Sequence, residues 1–123
     1  MYTAPLTITK LGDAIYNIAV TRSGVALSLD HVKLYFTVKL NPATQDDEQA
    51  DLQCTSDTGE GIVIENPVTL GKAQLTITAE QTIPLVVGKK YYWDLKMIDD
   101  GGEPLYLAAG TLIVNQNVTQ AVT

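Results

Sequence analysis

Three segments of the chain alternate apolar and polar side chains at every second position, the pattern of a strand with one buried face. They span residues 32–40, 73–79 and 90–97. The predicted core-facing residues are Val32, Leu34, Phe36, Val38 and Leu40, then Ala73, Leu75 and Ile77, then Tyr91, Trp93, Leu95 and Met97. No window of similar length repeats apolar residues at helical spacing, so these segments predict β-structure.

Shorter apolar stretches between turn residues predict further strands. These are Leu6–Leu11, Ala14–Thr21, Val25–Leu29, Leu52–Thr55, Gly61–Glu65 and Leu105–Val114. Asp99-Asp100-Gly101-Gly102 predicts a tight primed hairpin turn before the last strand, because Asp and Gly tolerate positive φ angles. Gly110 interrupts that strand and predicts a β-bulge. Roughly eight short strands, separated by Gly, Pro and Asp, predict an all-β antiparallel sandwich or small barrel.

Composition and charge narrow the class of protein. The 123 residues are 46% hydrophobic and 18% charged, which predicts one folded domain over residues 1–123 and excludes a disordered segment. The net charge of −6 argues against nucleic acid or an anionic membrane as the main partner, because both recruit Lys and Arg. The sequence has neither an apolar run of ~18 residues nor a secretory signal, which favours folding in the cytosol.

Three segments have no evident role in the core and are the predicted contact regions. They are the N-terminal arm Met1–Pro5, the loop Asn41–Ala50 and the polar tail Asn115–Thr123. The loop carries the acidic residues Asp46, Asp47 and Glu48. Carboxylate-rich loops can bind calcium, but the spacing here is not that of an EF-hand. A solvated run of charges is the other interpretation, and it is the one we prefer.

Reactive side chains are few. His31 is the only histidine and Cys54 the only cysteine, so a His-rich metal site, a paired-imidazole mechanism and an internal disulfide are all excluded. We therefore predict no catalytic, cofactor-binding or metal-binding residues, and no enzyme. Alternation places Tyr92 and Tyr106 outside the core, where they could contact a partner or a sugar.

Several segments resemble a known family. They are Gly71…Leu75-Thr76-Ile77…Glu80-Gln81-Thr82, Gly88 to Leu95, Gly110 to Val114, Phe36 to Lys39 and the opening Leu6 to Asp13. They resemble the immunoglobulin-like domain at the N-terminus of phage baseplate upper proteins, and related small domains of other phage tail and virion proteins. The resemblance implies an immunoglobulin-like β-sandwich of about seven to eight strands. It also implies a structural virion protein that docks onto other subunits and is assembled in the bacterial cytoplasm.

The resulting hypothesis is a non-enzymatic assembly module of a phage or prophage particle, as a tail, baseplate, collar or head-decoration component. Its expected partners are other virion proteins and copies of itself, with no nucleic acid, membrane or cofactor. The predicted partner-binding residues are Asp46, Asp47, Glu48, Tyr92 and Tyr106. The alternative is a β-sandwich that binds carbohydrate or a host surface through Tyr92, Tyr106 and the acidic loop. An accessory domain of a larger enzyme is a third interpretation.

Overall fold

The computed structural model describes residues 2–43, 45 and 49–116. Strands make up 52% and helix 6% of the described residues, which confirms the all-β class. The eleven strands are β1 (Tyr2–Thr3), β2 (Leu6–Thr9), β3 (Ala14–Ala19), β4 (Thr21–Arg22), β5 (Val25–Ala26), β6 (Lys33–Lys39), β7 (Leu52–Thr55), β8 (Ile62–Ile64), β9 (Lys72–Ile77), β10 (Lys90–Ile98) and β11 (Pro104–Asn115). Single-turn 3-10 helices lie at Val68–Leu70 and Glu80–Thr82.

The larger sheet has six strands. β1 and β2 lie one after the other along the outer side of β11, followed by β10, β6 and β7. The β11–β10, β10–β6 and β6–β7 pairs are antiparallel, whereas β1 and β2 both run parallel to β11. The prediction of a purely antiparallel architecture is therefore wrong at this edge.

The first residues are not a free arm. The Ala4 N–H donates to the carbonyl of Ala109 at 3.1 Å, and Trp93 Nε1–H donates to the carbonyl of Ala4 at 3.1 Å. A Cβ atom at Gly110 would overlap that same Ala4 carbonyl, so only glycine lets the N-terminal segment lie this close to β11. The prediction that Met1–Pro5 lacks a core role is wrong for the residues described.

The bulge in β11 lies at Leu107 and not at Gly110. Gly110 stays in register opposite Trp93, and the pairing slips by one residue between Leu95 and Lys96. Leu107 is the extra residue on the β11 side. Glycine at 110 is thus explained by the close approach of the N-terminal segment, a long-range contact that the local sequence does not reveal.

The smaller sheet, β3-β9-β8, is antiparallel and shares one hydrophobic core with the larger sheet. The buried side chains come from both sheets and include Leu34, Phe36, Val38, Leu75, Ile77, Tyr91, Trp93, Leu112 and Val114. Burial confirms the core-facing positions predicted for β9 and β10 and the central three for β6. Val32 is only half-buried and Leu40 is exposed, because β6 spans only Lys33–Lys39.

The turn between β10 and β11 differs from the predicted one. Gly102 has a positive φ of 78° and Gly101 does not, so this is not a two-residue primed turn. The Gly102 N–H donates to the carbonyl of Asp99 at 3.0 Å. Asp99 Oδ1 also accepts hydrogen bonds from the N–H groups of Gly101 and Glu103 at 2.9 and 3.2 Å. The aspartate side chain therefore organises the turn, and the left-handed glycine at its end returns the chain to β11.

Candidate interaction surface

β3 forms an open edge of the smaller sheet. It pairs with β9 along its whole length, and no other strand in the described part of the chain pairs with its far side. The N–H of Val20 points towards β9, where it donates to the carbonyl of Gly71 at 2.7 Å. Because the ladder alternates, the N–H and C=O groups of Ile15, Asn17 and Ala19 point away from β9.

The sequence of β3 lacks the residue types that usually prevent an edge strand from pairing with another chain. β3 reads Ala-Ile-Tyr-Asn-Ile-Ala, with no charged residue and no proline. Natural proteins protect exposed edges with Lys, Pro, bulges or a covering segment. Within the described part of the chain this six-residue edge has none of those devices, and such an edge is a template for another strand.

An apolar groove of about 880 Å³ runs beside the β3 edge, between the two sheets. Its floor is made of the core side chains Phe36, Leu75, Trp93 and Leu95. Residues 16–23 line it on the β3 side, and residues 4–6 and 105–108 line it on the β11 side. Among the described residues Arg22 is the single charged one that lines it. The side chains of its floor are only 1–7% exposed, so the groove leads to the edge of the core beside the outward backbone groups of β3.

Tyr16 lies at the inner end of the groove. Its hydroxyl donates to the carbonyl of Thr7 at 3.4 Å, a bond that links β3 to β2 across the gap between the sheets. Burial raises the pKa of the Tyr16 hydroxyl, so it remains a donor at neutral pH. Beyond Tyr16 the connection from β2 closes the gap, since the Leu11 N–H donates to Thr82 Oγ1 at 2.8 Å.

Tyr92 lies on the outer face of the larger sheet, away from the groove, whereas Tyr106 belongs to the groove lining on the β11 side. They are 41% and 52% exposed. Tyr106 pairs with Lys96, four residues along β10 from Tyr92, so the two tyrosines are about 13 Å apart along the strand direction. They do not form one stacking platform.

Lysine ammonium groups accompany the aromatic rings on this outer face. Lys33 and Lys96 lie 5.0 and 5.2 Å from the centroid of the Tyr35 ring, within cation–π range. Lys33 Nζ also lies 2.7 Å from Asp57 Oδ2, and the hydrogen bond to Asp57 raises the pKa of Lys33. These side chains are thus engaged with each other.

The acidic residues Asp46, Asp47 and Glu48 lie outside the described residues. The base of their loop is ordered by neighbouring polar groups. Asp51 Oδ2 accepts hydrogen bonds from the Leu40 N–H at 2.8 Å and from Gln45 Nε2 at 3.2 Å. Gln45 Oε1 accepts from the Asn41 N–H at 2.6 Å. The acid nearest β7 therefore has a structural role in holding the loop ends together.

Neither of the two singular reactive residues belongs to a cluster. Cys54 is buried, and burial raises the pKa of its thiol, which makes it a poor nucleophile. His31 is exposed, with Nε2 3.4 Å from Asp30 Oδ2. Over the described residues, no group of three or more His, Cys, Asp or Glu side chains is placed to hold a metal ion.

Comparison with protein-family models and with curated protein sequences finds no match for this chain. In the part of the chain that the structure describes, no helix has the length and apolar character needed to span a bilayer.

Proposed function

We propose that the chain is an immunoglobulin-like sandwich that serves as a non-enzymatic assembly module of a phage or prophage particle. The observation that carries the proposal is the open β3 edge beside the apolar groove. Paired backbone groups and a buried apolar anchor are what strand addition between proteins uses. The assignment to a virion comes from the resemblance of the strand and turn residues to phage tail and baseplate domains.

The strand order supports the immunoglobulin-like part of the proposal. A variable-type immunoglobulin sandwich places strands G, F, C and C′ in one sheet and B, E and D in the other. Here β11, β10, β6 and β7 follow each other in one sheet, and β3, β9 and β8 in the second. The parallel pairing of β2 with β11 adds a first strand at the outer side of the strand G position.

A hydrogen bond at the start of β10 also supports it. Tyr91 is buried, and its hydroxyl accepts from the Val86 N–H at 2.8 Å. A tyrosine at the start of strand F, bonded to backbone a few residues upstream, is the tyrosine corner of immunoglobulin-like domains. Two residues later Trp93 packs on Phe36 of β6, with ring centroids 5.7 Å apart. This aromatic pair fills the place where antibody domains have a disulfide packed on a tryptophan.

Purified particles test the proposed function. Phage particles from the bacterium that encodes the chain are purified on a density gradient, and their proteins are identified by mass spectrometry. The chain is expected in the particle fraction at a fixed ratio to the capsid protein. Its absence from particles that contain the capsid and tail proteins would contradict the proposal.

The exposed side chains of Tyr92 and Tyr106 favour carbohydrate binding as a second candidate function, because each aromatic ring can stack on a sugar by itself although the two do not form one platform. A glycan array probed at high protein concentration separates it from the first. Reproducible binding that is lost in Tyr92→Ala would support a carbohydrate-binding module and contradict a role limited to assembly.

A further inference from the structure

We propose that the groove and the open edge of β3 bind residues 117–123 of a second copy of the chain, as an added antiparallel strand. The inference deepens the proposed assembly function and rests on it, because it names the partner of the same surface. It makes each copy both a donor and an acceptor in head-to-tail contact.

The course of β11 determines which copy can donate. The groove is lined by residues 105–108, near the start of β11, whereas Asn115 at the far end pairs with Thr9. Positions 108 and 115 are seven residues apart, which is about 23 Å of strand at ~3.3 Å per residue. The groove also reaches Leu6, opposite Leu112, so β11 ends about three residues beyond the inner end of the groove, on the side away from residues 105–108. A second copy placed beyond that end presents its own groove without any reversal of the chain.

The direction of entry fits an antiparallel ladder. Tyr16, early in the β3 segment, reaches Thr7, which lies opposite Ile113 near the end of β11. The residues that follow β3 line the groove together with the start of β11, so β3 runs opposite to β11. A donated segment that continues in the direction of its own β11 therefore enters antiparallel to the acceptor's β3. It meets the outward N–H and C=O groups of Asn17 and Ala19.

The chemistry of the two surfaces also matches. Residues 117–123 read Asn-Val-Thr-Gln-Ala-Val-Thr, with no charge and four β-branched residues, and are long enough to span the six residues of β3. In a strand, Val118, Gln120 and Val122 lie on one face, and we place that face in the groove, with the two valines as its apolar anchors. The chain carries a net charge of −6, so like-charge repulsion opposes most contacts between copies. This contact brings no acid against another acid.

Head-to-tail donation is a heterologous interface, which closes into a ring or extends as a filament. Rings and filaments are both built from repeated copies of one structural subunit. The contact buries a short strand, so each single interface is weak and the assembly depends on repetition.

Two measurements test the proposal. Sedimentation velocity over a dilution series of the full chain measures association between copies, and binding of a labelled peptide measures the acceptor surface. The donor variant Val118→Asp/Val122→Asp is expected to stay monomeric at concentrations where the native chain associates. The same variant has an intact acceptor and is expected to bind a fluorescein-labelled peptide of residues 116–123. Asn17→Pro removes an outward N–H and is expected to weaken peptide binding by at least about tenfold. Asn17→Thr keeps the N–H and serves as its matched control.

Three results would overturn the proposal. The first is a donor variant that associates as strongly as the native chain. The second is a native chain that stays monomeric and does not bind the peptide. The third is equal peptide binding by Asn17→Pro and Asn17→Thr. If Asn17→Pro fails to fold, the donor variant still decides, because its substitutions lie beyond Asn115, where β11 ends. Detection of the chain in purified particles does not depend on this contact, so a failure here leaves the proposed function to be judged separately.

Discussion

Thr82 joins two segments that lie far apart in the sequence. Its side chain is fully buried, and its hydroxyl donates to the carbonyl of Ala79 at 2.6 Å while accepting from the Leu11 N–H at 2.8 Å. Leu11 has a left-handed φ of 65°, which is costly for a residue with a β-carbon. The Thr82 hydroxyl thus helps to hold the strained connection that carries the chain from the larger sheet to β3, together with Asp13 Oδ1, which accepts from the Ala79 N–H at 2.7 Å.

Replacing Thr82 with Val keeps the shape of the side chain and removes both hydrogen bonds. We expect the free energy of unfolding to fall by about 1–3 kcal/mol, because the Leu11 N–H loses its partner. Urea unfolding measures the change. Thr82→Ser, which keeps the hydroxyl and loses a methyl group, is expected to cost about 1 kcal/mol or less. A Val variant as stable as the native protein would show that this bond does not hold the connection.

Cys54 makes stability depend on pH in the alkaline range. Burial raises the pKa of the thiol above its ordinary value of 9.0, so the folded state keeps a proton that the unfolded state releases. The contribution to stability is complete below pH 9.0 and declines as the pH rises above it. Urea unfolding between pH 8 and pH 10 is therefore expected to show a steeper decline for the native chain than for Cys54→Ala. Equal slopes would mean that the thiol ionises as readily in the folded state.

At the scale of elements, the alternation of apolar and polar residues predicts where strands lie but not which strands pair with each other. β7 has the predicted bounds, and the alternation in β9 and β10 identified their buried faces. Strand β1 and the bulge at Leu107 were missed, because each depends on what β11 meets across the sheet. Position 110 requires glycine because the backbone carbonyl of Ala4, more than a hundred residues away in the sequence, lies against it.

The same contact predicts the effect of adding one methyl group at Gly110. Gly110→Ala places a Cβ atom against the Ala4 carbonyl and within 3.0 Å of Trp93 Nε1, so we expect β1 to move away from β11. The cost is expected to be roughly 1–3 kcal/mol, with a change in Trp93 fluorescence as its hydrogen bond is lost. Gly101→Ala, in an exposed turn, is the control and is expected to change stability by less than about 0.5 kcal/mol. If both variants behave alike, the N-terminal segment is not docked as described.

At the scale of the whole molecule, the sequence does not reveal that β3 lies at the edge of its sheet. The sequence predicts a strand over Ala14–Thr21, and β3 lies within it, with alternate side chains half-buried and exposed. Whether a strand is central or at an edge depends on non-local pairing, which alternation does not encode. Of the predicted contact residues, Tyr92 lies on the outer face of the larger sheet, whereas Tyr106 lines the groove. The surface beside β3 combines unpaired backbone with an apolar groove.

The central claim is that the far edge of β3 is the surface through which this chain joins other subunits. Amide hydrogen exchange tests it most directly, comparing the dilute chain with the chain in assembled particles. The amides of Ile15, Asn17 and Ala19 are expected to exchange rapidly in the dilute chain and slowly in the assembly, while those of Tyr16 and Ile18, which face β9, stay protected in both. Equally rapid exchange at the three outward amides in both states would contradict the claim.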